Sequence, residues 1–321
     1  MESYQYIFGP VPSRRLGASL GISPLIEKTC ICRCVYCQLG STIHWRTDRS
    51  ETVPLDAILS ELDDYLKRED AHFDVASIVG EGEPTLYSRL GELICEVKKR
   101  CEQPVCVITN GILLSDPQVR SELMEADIVM PSLDAYNADL FEKLKRPDPS
   151  IDFSKVLEGL EAFSHEYKGQ LWLETMLVGG INDSKEDIAE FKKLLQKIQY
   201  QKLYLNVPLR PPAEGWVKPP TDEALAYAAQ ELSGVVIDAF GTSGFYSAME
   251  DDWEAVLSII ARHPMNNFEL SAFLNSRQST REAEIVERLT RDERVEKVDF
   301  RGMKMYRLTK SWAEMAEEDK A

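Results

Sequence analysis

The sequence predicts an α/β protein: a partial (βα)6 TIM-like barrel followed by a C-terminal winged-helix-like domain. Two observations predict it. From Ser19 to about Val236, short apolar β-rich runs alternate with amphipathic helical segments, which is the pattern of βα units around a parallel sheet. Six such units are too few to close the eight-stranded barrel, so the sheet stays open. Beyond residue 250, three segments with helical spacing and one β-hairpin pattern follow in close succession, and that grouping suggests a winged helix.

The strands are expected at SLGIS (19–23), FDVASIV (73–79), PVCVIT (104–109), ADIVMP (126–131), LWLETMLV (171–178) and KLYLNV (202–207). Between them, PLDAILSELDDYLKRE begins with Pro54 where a first helical turn accepts proline, and DSKEDIAEFKKLLQKIQ repeats its apolar residues at three and four. The barrel is expected over 1–237 and a linker over 238–250, where glycines and small polar residues concentrate. Residues 251–312 carry the three helices and VEKVDFRGMKMYRLT, a pair of strands about a glycine turn. An acidic tail closes the chain at 313–321.

Composition narrows the function classes. The 321 residues are 44% hydrophobic and 28% charged, enough to bury a large core. Neither a basic-then-apolar leader nor a run of about eighteen apolar residues occurs. A cytoplasmic protein with no membrane association is the expectation. The net charge of -17 opposes general attraction to nucleic acid, while a local basic patch stays possible.

Seven cysteines crowd between Cys30 and Cys106, an odd number that speaks against a secreted disulfide framework. Four of them fall in TCICRCVYCQL (29–39). Structural zinc wants two separated ligand pairs, and the chain has neither a second CxxC nor an HxxxH. A redox pair of Cys34 and Cys37 would leave Cys30 without a role. Three close thiolates with the spacing C-x3-C-x2-C suit three irons of a cubane cluster and leave the fourth iron open. Cys32 lies inside the first gap and reads as a bystander. Cys95 and Cys106 read as small packing residues on a helix and in a strand.

With Cys30, Cys34, Tyr36 and Cys37 forming C-x3-C-x-aromatic-C after the first strand, the chain resembles the radical S-adenosylmethionine (radical SAM) enzymes. It looks most similar to an iron-sulfur oxidoreductase group related to the radical enzyme of wybutosine synthesis, through FGPVPSRRLGASLGI before the cysteines and RPPAEGWV after the sixth strand. The resemblance implies an oxygen-sensitive 4Fe-4S cluster on Cys30, Cys34 and Cys37, with Tyr36 beside it. GEGEPTL resembles the family's GGEP motif, which implies that Gly82 and Glu83 meet the amino group of S-adenosylmethionine, with Glu81 where the motif has glycine. Asn110 in TNG, with Ser132 and Asp134 in SLDA, is implied near the ribose and carboxylate. Val178 and Gly179 in LVGGIND are implied near the adenine. Catalytic residues beyond these are not assigned.

Arg14, Arg15, Arg210, Glu214 and Trp216 are the candidate substrate residues, because their segments bracket the face where strand ends converge. The implied activity is reductive cleavage of S-adenosylmethionine to methionine and a 5'-deoxyadenosyl radical, which takes hydrogen from an RNA base, a peptide or protein, or a metabolite. An external one-electron reductant of flavodoxin or ferredoxin type is the implied partner. A glycyl-radical-enzyme activase is the alternative within the class. A redox-sensing regulatory or RNA-binding winged-helix protein is the alternative outside it. Between Asp251 and Lys310 there are eleven acidic and eleven basic residues, so this neutral domain is expected to recruit a macromolecular substrate or protein partner. Arg301, Lys304, Arg307 and Lys310 would meet phosphates, with Tyr306 available for stacking.

Overall fold

The computed structural model describes residues 4–26, 28–237, 244–247 and 249–309. One eight-stranded sheet runs in sequence order through β1 (Ile7–Ser13), β2 (Gly17–Ile22), β3 (Val75–Ile78), β4 (Val105–Thr109), β5 (Ile128–Pro131), β6 (Gln170–Met176), β7 (Lys202–Asn206) and β8 (Val235–Val236). β1 and β2 are antiparallel, and every later pairing is parallel. Strands β2 to β7 are the six expected ones. β1 was not expected, because Pro10 and Pro12 interrupt its apolar pattern; it forms as an edge strand, where missing N–H donors are tolerated.

Among the described residues seven α-helices cover the sheet: α1 (Leu55–Leu66), α2 (Leu90–Arg100), α3 (Pro117–Leu123), α4 (Ala138–Lys145), α5 (Phe153–Glu166), α6 (Lys185–Leu195) and α7 (Asp222–Leu232). Pro54 is the N-cap of α1, and Ser184 with Asp187 forms a capping box on α6. Side chains alternate along each strand. Leu20, Ile78, Val107, Val129, Leu173 and Leu205 belong to the main core that includes the helices, while Cys106, Met130, Trp172 and Tyr204 form a separate cluster on the opposite face. That second face also supplies the walls of a cavity.

The C-terminal part comprises α8 (Asp252–Ile260), β9 (Met265–Asn266), α9 (Asn267–Ser276), α10 (Glu282–Arg291), β10 (Val295–Phe300) and β11 (Met303–Leu308), with strand order β10-β11-β9. Trp253, Leu257, Phe273, Leu289 and Tyr306 are in its own core. Tyr306 is therefore not the available stacking ring that the sequence suggested: it is 2% exposed and pairs with Met265. Arg307 is also engaged, donating to the carbonyls of Pro211 and Pro212 and to Glu296. Much of the expected linker (238–243 and 248), Lys310 and the acidic tail lie outside the described residues. Among the described residues no helix is long and apolar enough to cross a membrane.

Candidate active site

The cysteine loop follows β2 and is held at both ends. Thr29 pairs with Gly82, and Glu83 N–H donates to Thr29 O at 3.0 Å, joining the loop to the GEGEPTL segment. Further on, Arg33 and Val35 donate to the carbonyls of Lys145 and Leu144 at the end of α4. Ile31, Cys32 and Val35 are buried, anchoring the loop, and Cys37 N–H closes a turn onto Cys34 O. Cys32 Sγ lies 3.6 Å from Cys30 Sγ and 3.4 Å from Cys34 Sγ. Cys32 thus shares the face of Cys30 and Cys34, as period-two alternation allows.

The thiols differ in proton affinity. Cys34 is lowered by the hydrogen bond with Cys32 and, against burial, by the charge of Lys145. Cys32 is raised by its hydrogen bonds to both neighbours and by burial. Burial pushes Cys37 up to about 12. Asn110 Nδ2 points at the sulfurs, 3.8 Å from Cys30 and 3.5 Å from Cys32.

At the strand ends the motif residues are closely tied together. The Glu83 carboxylate accepts from Thr85 N and Oγ1 (3.1 and 2.7 Å), Thr109 Oγ1 (2.5 Å) and Asn110 N (2.6 Å). Three of these reach Oε1 and one reaches Oε2, so Oε2 keeps room for a further donor. Asp134 accepts from Tyr36 OH at 2.5 Å and Met176 N at 2.7 Å, and its Oδ2 lies 2.8 Å from Lys145 Nζ. Burial, then the Asp134 charge, raise the Tyr36 phenol well above its usual range. Ser132 Oγ reaches Thr109 O at 3.4 Å, Val178 N–H donates to Asn182 Oδ1 at 2.7 Å, and Gly179 N–H donates to Lys218 O at 2.8 Å. Lys145 and Asn182, both fully buried, escaped the sequence reading. Lys145 sits in FEKLKR, where a lysine at a helix end normally meets water.

Beside this ring is a cavity of about 380 Å³. Tyr36, Cys37 and Gln38 contribute to its wall, as do Glu174 and Asn206 from the strands. Arg14, Arg15 and Arg210 line it, whereas Glu214 and Trp216 do not. Arg15 pairs with Glu174, whose other oxygen accepts from Asn206 Nδ2 at 2.9 Å. Arg210 makes a buried two-point ion pair with Glu269 of α9 and lies 3.3 Å from His263 Nε2. Glu214 pairs with Arg146, and Trp216 is 43% exposed. Cys106 is fully buried in the apolar cluster, while Cys95 is half-buried on α2, beside rather than within its buried stripe.

Residues 27–195 match the Radical SAM superfamily. The chain belongs to this superfamily of enzymes. A UPF0026 protein of Methanocaldococcus jannaschii is 31% identical to this radical SAM chain over 93% of its length and 94% of the relative's. A protein named GTPase Obg, from Brachyspira hyodysenteriae, is 42% identical over 69% of the chain, which spans only 32% of that relative. A radical SAM methyltransferase from Sphaerobacter thermophilus shares the fold, with TM-score 0.53 and 16% identity over 68% of this chain and 65% of the methyltransferase.

Radical SAM proteins use a 4Fe-4S cluster and S-adenosylmethionine, and the residues present suit both. The loop offers thiols as donors, with the Cys34 thiol lowered by its hydrogen bond with Cys32 and an amide N–H directed at the sulfurs. Gly82 has φ +152°, and a Cβ there would sit 1.8 Å from Thr29 O. Only glycine allows the motif loop to lie this close to the cysteine loop.

Proposed function

We propose that this chain is a radical SAM enzyme in which Cys30, Cys34 and Cys37 hold the 4Fe-4S cluster and the ring of strand ends holds S-adenosylmethionine. The substrate then occupies the cavity. Bound there, the two groups supply reductive cleavage of S-adenosylmethionine to methionine and a 5'-deoxyadenosyl radical, the abstractor of substrate hydrogen. An external one-electron donor of flavodoxin or ferredoxin type provides the electron.

The protein's own residues bind and orient. Glu83 Oε2 and backbone carbonyls of the 80–83 loop accept from the amino group, while Asn110, Ser132 and Asp134 border the ribose and carboxylate. Val178 and Gly179 border the adenine. Tyr36 is fixed by Asp134, so the segment that precedes Cys37 is held rigid. Arg15, Glu174 and Asn206 offer the substrate a polar anchor among apolar walls. Residues 251–309 are read as a winged-helix-like domain from their element order and three-stranded antiparallel sheet.

The observation that carries this reading is the presence of Tyr36, Cys37 and Gln38 in the cavity wall, which brings the cysteine loop next to a substrate-sized space. Its test is anaerobic reconstitution with iron and sulfide, reduction, and incubation with S-adenosylmethionine. Release of 5'-deoxyadenosine is expected, detected by mass spectrometry. A protein that takes up four irons and sulfides yet forms no 5'-deoxyadenosine under any reductant would refute it.

A further inference from the structure

Arg262, just beyond α8, is 7% exposed and reaches three parts of the barrel at once. Its Nη2 donates to Gln5 O at 2.8 Å and lies 3.2 Å from Glu81 Oε1. Its carbonyl accepts from Gln38 Nε2 at 3.3 Å. Its guanidinium carbon stands 4.8 Å from the Phe8 ring centroid. One residue of the C-terminal domain therefore touches the N-terminal strand region, the GEGEPTL loop and the residue after Cys37.

The energetics point away from a purely stabilising role. Arg262 Nε and Nη1 are buried without a hydrogen-bond partner, and an ion pair buried with orphaned donors stabilises poorly compared with apolar packing. What such a pair does supply is a fixed arrangement. Glu81 occupies the place where the GGEP pattern has glycine, and glycine would give Arg262 no carboxylate to meet. Glu81 is followed directly by Gly82, which abuts Thr29 of the cysteine loop.

We infer that Arg262 is a positioning residue, which through Glu81 and Gln38 holds the motif loop and the end of the cysteine loop in the geometry that binds S-adenosylmethionine. The C-terminal domain is thereby part of the cofactor site's support. This rests on the proposed function. It also gives the domain a role independent of recruiting a macromolecule: Arg262 and His263 line the cavity itself.

The test uses the full chain with Arg262→Gln, Arg262→Lys, Glu81→Gln and the double variant Arg262→Gln/Glu81→Gln. After reconstitution, S-adenosylmethionine affinity is measured by calorimetry, and the change it causes in the electron paramagnetic resonance spectrum of the reduced cluster is recorded. Arg262→Gln should retain wild-type iron content yet weaken binding about tenfold, as loss of outer support does around other metal sites. Arg262→Lys should recover most of that loss, and the double variant should be no weaker than the worse single one. Wild-type affinity and an unaltered spectral response in Arg262→Gln would overturn the inference.

Amide hydrogen exchange on the cofactor-free proteins separates this result from failure of the parent reading. Faster exchange at residues 80–83, which the Arg262 side chain meets through Glu81, is expected in Arg262→Gln, and unchanged exchange there counts against positioning. If Arg262→Gln does not fold, Glu81→Gln carries the same measurements, with the same outcomes deciding. Should the wild type hold no cluster, the proposed function falls, and the exchange data alone decide whether Arg262 sets these loops.

Discussion

The strand-end ring and the cavity beside it satisfy their charges in different ways. In the ring, Glu83 takes four donors and Asp134 meets three, all supplied by the barrel. In the cavity wall, the ion pairs cross between elements: Arg15 with Glu174, Arg210 with Glu269, and Arg262 with Glu81. Two of those three need the C-terminal domain. The charges of Glu83 and Asp134 are met wholly within the barrel, with Glu81 alone of that motif reaching across to Arg262, whereas the cavity is completed only when the two parts of the chain dock.

The largest expected effect breaks the ring at its metal end. Cys30→Ala, Cys34→Ala or Cys37→Ala should each abolish stable cluster incorporation, while Cys32→Ala keeps it, since three thiolates suffice for three irons. Iron and sulfide content after anaerobic reconstitution decides, and a normal cluster in the triple variant would remove the assignment. Gly82→Ala should come close behind. Its Cβ meets the Thr29 backbone, which cannot swing aside as a flexible side chain can, so S-adenosylmethionine binding should be lost even where iron is retained.

Stability comparisons sharpen the contrast. Lys145→Met leaves Asp134 as a buried charge with only neutral donors, a loss of about 3–5 kcal/mol for such a pair. Arg210→Met should lose less, because the Arg210–Glu269 pair is the less deeply buried of the two, at 8% and 3% side-chain exposure against 2% and 1% for Lys145 and Asp134. Chemical denaturation of the two variants checks the order. Equal losses would mean that the domain interface is as tightly organised as the ring.

How much of this was legible depended on whether a residue's environment repeats a local pattern. Strands β2 to β7 were legible because apolar β-rich runs survive burial on both faces. β8 is two residues long and leaves no periodic trace. The cysteine spacing and the Gly82 motif are local in sequence, so their neighbourhood was legible too. Lys145, Asn182 and Glu174 were not: each owes its role to a partner brought in by the fold, Asp134 with the Asn110 carbonyl, the Asp134 carbonyl, and Arg15 respectively. Arg262 stands in ARHP after a helix, where arginine usually points to water. Tyr306 was misread because its ring turns into the core that the hairpin forms with the helices of this part of the chain, contacts distant in sequence.

The smallest effect is expected on the β10–β11 hairpin. Arg301 and Lys304 are exposed, and each lies outside the cavity wall. With Tyr306 buried and Arg307 bound to Glu296 and the Pro211 and Pro212 carbonyls, only these two of the phosphate contacts expected from the sequence remain among the described residues for an outside partner. Two exposed charges on a chain of net charge -17 make a weak phosphate site. The Arg301→Glu/Lys304→Glu variant should keep wild-type stability and S-adenosylmethionine affinity, and any RNA binding by the wild-type protein should be feeble and lost as salt rises. A gel-shift series with single-stranded RNA at low and physiological ionic strength measures this. Tight, salt-resistant binding that the double variant abolishes would place an RNA contact on the β10–β11 hairpin, and would restore recruitment as a function of this part of the chain beside its support of the barrel.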